Sequence, residues 1–178
     1  MTTVIPCLML PLHQKNILLP SMAVAEIIAY EEPKKIADVP QWLLGLLTWR
    51  GVPIPLAHLE KMDSPLAWNA GHQETEAKQA GKYYIAVINR SKKIVSNPRE
   101  KHASPYPFFA ILVEGVPKLY HVSESAMKIV TQFPPQEKRF LMEVKIQNDC
   151  ALIPHLESLW SMIDALPARL QWFRQMVF

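Results

Sequence analysis

Apolar residues fall along this chain in short runs broken by prolines and polar turns, not in long stretches of helical spacing. Val4 to Leu10 is apolar, Pro11 to Asn16 forms a polar turn, and Ile17 to Leu19 resumes the apolar run, which predicts strand, turn and strand. Val24, Ile27, Ile28 and Tyr30 fit a helical turn or a strand equally. Pro40 ahead of Gln41, Trp42, Leu43 and Leu44 predicts one helical turn, because proline suits a first helical position. Leu46 to Trp49 and Val52 to Leu56 flank Arg50 and Gly51 and predict a hairpin in which Gly51 takes a positive φ. Further strands are expected at Tyr83 to Asn89, Phe108 to Val113, Val116 to Val122, Phe140 to Ile146 and Ala151 to Ile153. Ser123 to Ala126 opens a short helix, Pro134 and Pro135 break the chain, and Leu156 to Phe178 has helical spacing interrupted at Pro167. About ten short strands with few helices make the fold mainly β.

The stretch from Asp63 to Lys82 is rich in Ala, Gly, Gln and Glu and lacks periodicity, so it reads as a linker. It divides the chain into a first sub-barrel over about 1–65, a second over about 83–160, and a C-terminal helical segment over 156–178. One internal echo joins the halves. Ile54 to Met62 (IPLAHLEKM) recurs in shortened form as Ile153 to Trp160 (IPHLESLW), each placing His-Leu-Glu where a β-run passes into a helix-like pattern. That placement favours duplication of a small barrel.

Composition narrows the class further. With 178 residues, 49% hydrophobic and a net charge of +3, the chain can bury a core and is not a disordered one. Uncharged apolar stretches such as Trp42 to Trp49, eight residues, fall far short of the roughly twenty that a spanning helix needs. With no signal peptide visible, the expected compartment is the cytoplasm. Cys7 and Cys150 sit in apolar segments and are expected to be reduced core residues. The histidines at 13, 58, 72, 102, 121 and 155 lack metal-ligand spacing, and no phosphate-binding, nucleophile-elbow or zinc-protease motif occurs. The reading is therefore non-enzymatic, with no metal and no cofactor. Trp42, Trp49, Trp160 and Trp172 sit in apolar settings, while Trp68 lies in the linker. Between Arg90 and His102 five cations face one carboxylate, a net +4 that leaves −1 on the rest of the chain. That basic segment carries the alternative reading, a small β-barrel module binding nucleic acid.

The run from Gly45 to Leu59, GLLTWRGVPIPLAHL, resembles the pattern G-x-x-N-x-R-G-x-x-x-P-x-x-D-L of CheW-like domains, the adaptor modules of bacterial chemosensory arrays. Val24-Ala25-Glu26-Ile27 resembles the family's V-x-E-I strand. Phe109 to Val116 resembles its G-I-V-V-D-G-V segment, and Ile153 to Trp160 its closing L-L-D-L-E-K-L. The resemblance implies two intertwined five-stranded β-barrels around a shared hydrophobic core. It also implies a scaffold joining the regulatory domain of a CheA-type histidine kinase to a methyl-accepting chemoreceptor, with recruitment to membrane-associated receptor arrays but no membrane insertion. In the family, receptor tips dock in an apolar groove between the barrels, and the kinase binds by barrel-to-barrel contact. No kinase or receiver domain fits in the remaining residues. Carried onto matching positions, Val24, Glu26 and Arg50 are expected to contact partners, and Gly45, Gly51 and Pro55 to shape the backbone.

The departures are Thr48 for Asn, Trp49 for a smaller aliphatic, and His58 and His155 for acidic or amide residues. Neutral histidine is expected to cap a following helix poorly. Such drift fits a divergent member, of the kind that serves type IV pilus systems.

Overall fold

The structure, a computed structural model, describes residues 3–63, 81–90, 106–136 and 139–166. Among them are eleven strands and one α-helix: β1 (Val4–Pro11), β2 (Asn16–Pro20), β3 (Val24–Ala29), β4 (Leu43–Trp49), β5 (Val52–Ala57), β6 (Tyr83–Asn89), β7 (Phe108–Glu114), β8 (Lys118–Ser123), β9 (Met127–Gln132), β10 (Phe140–Ile146), β11 (Asp149–Pro154) and α1 (Leu156–Asp164). They form a six-stranded sheet in the order β8-β1-β2-β11-β10-β9 and a five-stranded sheet in the order β3-β6-β7-β5-β4.

Strands β2, β4, β5, β6 and β7 read as nearly unbroken apolar runs because both of their faces are largely buried. In β6, Ile85 and Val87 fill the interior of the five-stranded sheet, while Ala86 and Ile88 face the core that the two sheets share. In β2, Leu18 fills the six-stranded sheet and Ile17 and Leu19 join the shared core. Helix α1 seals that core with Leu159, Trp160 and Ile163, and the Trp160 ring packs edge-on to Phe109 at 4.6 Å. Burial at about 25 cal/mol per Å² on both faces makes these positions the main apolar contribution to stability.

The chain exchanges strands between the sheets. β1 and β2 belong with β8 to β11, whereas β3, β4 and β5 belong with β6 and β7. The sheets therefore do not follow the expected 1–65 and 83–160 halves. β2 pairs in parallel with β11 (Asn16 with Ala151), far along the chain, as β5 pairs in parallel with β7 (Leu56 with Ala110). Residues 64–80 of the expected linker lie outside the described residues, as do Trp68, Trp172, His72, His102, 91–105 of the basic segment and 167–178 of the C-terminal segment.

The echo occupies equivalent places. His58 follows β5 and His155 follows β11, each after the second strand of an antiparallel hairpin. A 3₁₀ turn over Leu59–Asp63 follows the first and α1 the second.

Several expectations need correction. Gln41 and Trp42 form a hydrogen-bonded turn, closed by the Leu43 amide on the Pro40 carbonyl at 3.0 Å, and β4 begins at Leu43. The ambiguous Val24 segment is a strand, and β9 was not anticipated, because only Met127 of its six residues is even partly buried. Cys150 is exposed rather than core: it is the second residue of β11, paired with the exposed Lys145. His155 does cap α1, its Nδ1 accepting from the Ser158 amide at 3.3 Å. An imidazole with a free ring nitrogen supplies the lone pair that an N-cap needs.

Candidate partner-docking site

The β4–β5 hairpin ends in a two-residue turn with φ of 49° at Arg50 and 77° at Gly51. Two consecutive left-handed residues give the turn whose twist matches the flanking strands. Glycine takes this region freely, while a side-chain-bearing residue there costs roughly 1–2 kcal/mol. Arg50 is held in that conformation by what its side chain reaches. Its Nη2 donates to Glu26 Oε2 at 3.1 Å, and its guanidinium lies 4.8 Å from the centre of the Trp49 ring.

Trp49 Nε1 donates to the same Glu26 oxygen at 2.8 Å, and its ring packs edge-on to Phe108 at 4.9 Å. Glu26 stands on β3 and Trp49 on β4, the two opposite edges of the five-stranded sheet. These side-chain bonds bridge the two edges of the curled sheet, which no strand ladder joins among the described residues. Glu26 and Arg50, singled out separately in the sequence, thus form one cluster with Trp49 as its buried member. The Trp49 role was missed; a tryptophan beside a turn arginine, with a glutamate on a neighbouring strand, is the signal that points to it.

Val24 sits apart from this cluster, half-buried against the shared core and paired with Ile88. A register shift between Val24 and Glu26 separates the two positions. Met22, 83% exposed, precedes it in the 3₁₀ turn joining β2 to β3.

The backbone-shaping positions have distinct reasons. Gly45 has φ of 148°, and a Cβ there would lie 2.4 Å from the Lys34 carbonyl oxygen. That close approach lets Lys34 and Leu46 exchange backbone hydrogen bonds at 2.8 and 3.0 Å, covering the outer edge of β4. Gly51 has open space around it, so only its backbone angle matters. Pro55 is buried in β5 opposite Leu46, with Pro53 opposite Thr48. β5 meets β7 only at Leu56 and Ala57, so the prolines precede the stretch where a second ladder would need their missing N–H groups.

A polar seam ties the two sheets at one end. Glu60 accepts from the His13 and Gln14 amides at 3.1 and 2.8 Å, and Glu114 meets His13 Nδ1 at 2.9 Å and Lys82 Nζ at 3.3 Å. Burial pushes the Glu114 carboxyl up, but the hydrogen bonds from His13 and Lys82 outweigh it and hold the group below the usual carboxylate range.

The basic segment begins at a residue already committed. Arg90 pairs with both Asp164 oxygens at 3.1 and 2.5 Å and stacks on Trp160 at 4.0 Å. Its charge is therefore taken up by α1, not offered to a nucleic acid. Among the described residues no three His, Cys, Asp or Glu side chains converge as metal ligands, and no helix is long and apolar enough to cross a membrane.

A family model for the CheW-like domain matches residues 6–164. Among solved structures the fold is similar to that of the scaffolding protein TtCheW from Thermoanaerobacter tengcongensis, with a TM-score of 0.59 and 15% identity over 85% of this chain and 89% of that one. No curated protein matches the sequence.

Proposed function

This chain belongs to the CheW-like domain family, and from that premise we propose that it is a non-enzymatic adaptor coupling a CheA-type histidine kinase to methyl-accepting chemoreceptors. The similar solved protein is described as a scaffold, which supports a binding role over catalysis. The observation that carries the reading is the Glu26–Trp49–Arg50 cluster. Trp49 and Glu26 anchor the hairpin to the barrel, while the Arg50 side chain remains 69% exposed with donors to spare. A guanidinium held on a rigid frame presents a planar fork suited to a partner carboxylate. Val24 and Met22 add a separate apolar area where β2 passes into β3, apart from that cluster. Held in one complex, the partners let a receptor signal shift the kinase between its active and inactive populations. Drift at Thr48, His58 and His155 supports service in a type IV pilus system.

The test is capture from native cytosol, asking whether a histidine kinase and a methyl-accepting receptor are retained. Arg50→Gly is the discriminating variant, because glycine accepts the φ of 49° and keeps the hairpin. Partner retention is expected to fall about tenfold, the loss of one charge-assisted contact, with the fold retained and Tm moved by no more than about 4 °C. Full retention by this variant removes Arg50 from the interface. Absence of both partners from the wild-type capture refutes the coupling role.

A further inference from the structure

β9 ends the six-stranded sheet, hydrogen-bonded to β10 on one side and to no strand on the other among the described residues. Five of its six residues are exposed, with Ile129 at 60% and Val130 at 54%, and Leu141 on β10 adds a third apolar side chain at 42%. The register shift between Glu143 and Val144 leaves Val130 unpaired in a bulge. Beside it, Lys128 and Lys145 stand directly opposite each other across β9 and β10, both exposed and neither with an anionic partner among the described residues. Directly opposed like charges disfavour the strand pair, and a carboxylate brought in along the free edge of β9, next to Lys128 and one strand beyond Lys145, offsets that repulsion.

We propose that the β9 edge receives an extended acidic segment of a partner protein, added as a further strand with its carboxylates against Lys128 and Lys145 and its apolar side chains on Ile129 and Val130. An edge lysine also guards against unselective strand pairing; here the same charge excludes neutral and basic strands while admitting acidic ones. Main-chain hydrogen bonds supply affinity, and the lysine pair supplies selection. This surface lies on the sheet that does not carry Glu26 and Arg50, so it goes beyond the coupling role proposed above.

The probe is a soluble, end-blocked peptide of alternating valine and glutamate titrated into isotope-labelled full-length protein. Saturable amide shifts are expected over Met127–Gln132 and the facing part of β10, and affinity is expected to weaken at least tenfold from low to high salt. The Lys128→Glu/Lys145→Glu protein should lose this peptide and gain one of alternating valine and lysine. The milder Lys128→Gln/Lys145→Gln protein should lose about tenfold, and an N-methylated glutamate peptide should not bind. Absence of saturable binding, shifts confined to other strands, or equal affinity of wild-type and both variant proteins overturns the proposal. Neither kinase nor receptor enters the measurement, so its outcome is separate from the fate of the adaptor reading.

Discussion

Removing the Trp49 indole donor should weaken barrel closure more than removing the Arg50 charge does, although both groups bind the same Glu26 oxygen. The Trp49 bond is 2.8 Å long, its donor residue is only 9% exposed, and its acceptor carries charge. Hydrogen bonds of that kind contribute about 1.5–3 kcal/mol. The Arg50 contact is longer, at 3.1 Å, and its side chain is 69% exposed, so water and salt screen it to about 1 kcal/mol or less. Double-mutant cycles separate the two terms. Trp49→Phe with Glu26→Ala measures the indole coupling, and Arg50→Gly with Glu26→Ala measures the guanidinium coupling, by urea denaturation at low and high salt. The indole coupling is expected near 2 kcal/mol and independent of salt; Trp49→Phe alone should lower Tm by about 4–8 °C in a chain of this size. The guanidinium coupling is expected below about 1 kcal/mol and to vanish at high salt. An indole coupling under about 0.5 kcal/mol, or one smaller than the guanidinium coupling, would refute the view that Glu26 is first a closing group and only second a docking group.

Two further outcomes follow from the same geometry. Gly45→Ala should destabilise by about 2–4 kcal/mol, because its Cβ meets the Lys34 carbonyl and the Lys34–Leu46 bridge must open; Gly51→Ala, with open space, should cost only the roughly 1–2 kcal/mol of its left-handed backbone, and equilibrium denaturation of the pair checks the difference. Glu114 titrates below its ordinary value of 4.5 in the folded chain, so its stabilising contribution is complete above that pH and is lost as pH falls through the depressed folded value; Glu114→Gln should flatten this acid limb in pH-dependent denaturation, leaving stability near neutrality lower.

The two proposed docking surfaces, the lysine pair on β9 and the arginine on the β4–β5 turn, differ in chemistry. Arg50 sits on a hairpin whose side chains are anchored, and offers a directional fork. β9 offers backbone groups and a diffuse positive charge, which suit an extended segment more than a folded one. A scaffold that holds more than one partner needs such chemically distinct surfaces, since similar ones would let partners compete.

Both placements also show why legibility varied along the chain. Strands buried on two faces, such as β2, β4, β6 and β7, announced themselves as apolar runs, because each residue has a core to fill. β9, with nearly every residue exposed, carries no burial pattern and escaped notice. The hairpin at Arg50–Gly51 was legible because glycine marks a left-handed position; that Arg50 shares the conformation was not, because its compensation lies on β3. Cys150 was misread for a related reason. Apolar residues follow it, but Cys150 points to the face of β11 opposite the buried Ala151, beside the exposed Lys145.

Local chemistry, then, is what the amino-acid order decided by itself: where strands run, where prolines and glycines turn them, that the chain is mainly β, and that two stretches echo each other. These follow from steric limits and burial patterns that act over a few residues. The tertiary structure alone decided that β1–β2 joins β8 to β11 while β3 to β5 joins β6 and β7, that Glu26 reaches across two sheet edges to Trp49, and that Lys128 faces Lys145 unopposed. Each of these depends on register and pairing between distant segments, and strand pairing carries no signature in the spacing of either segment read alone.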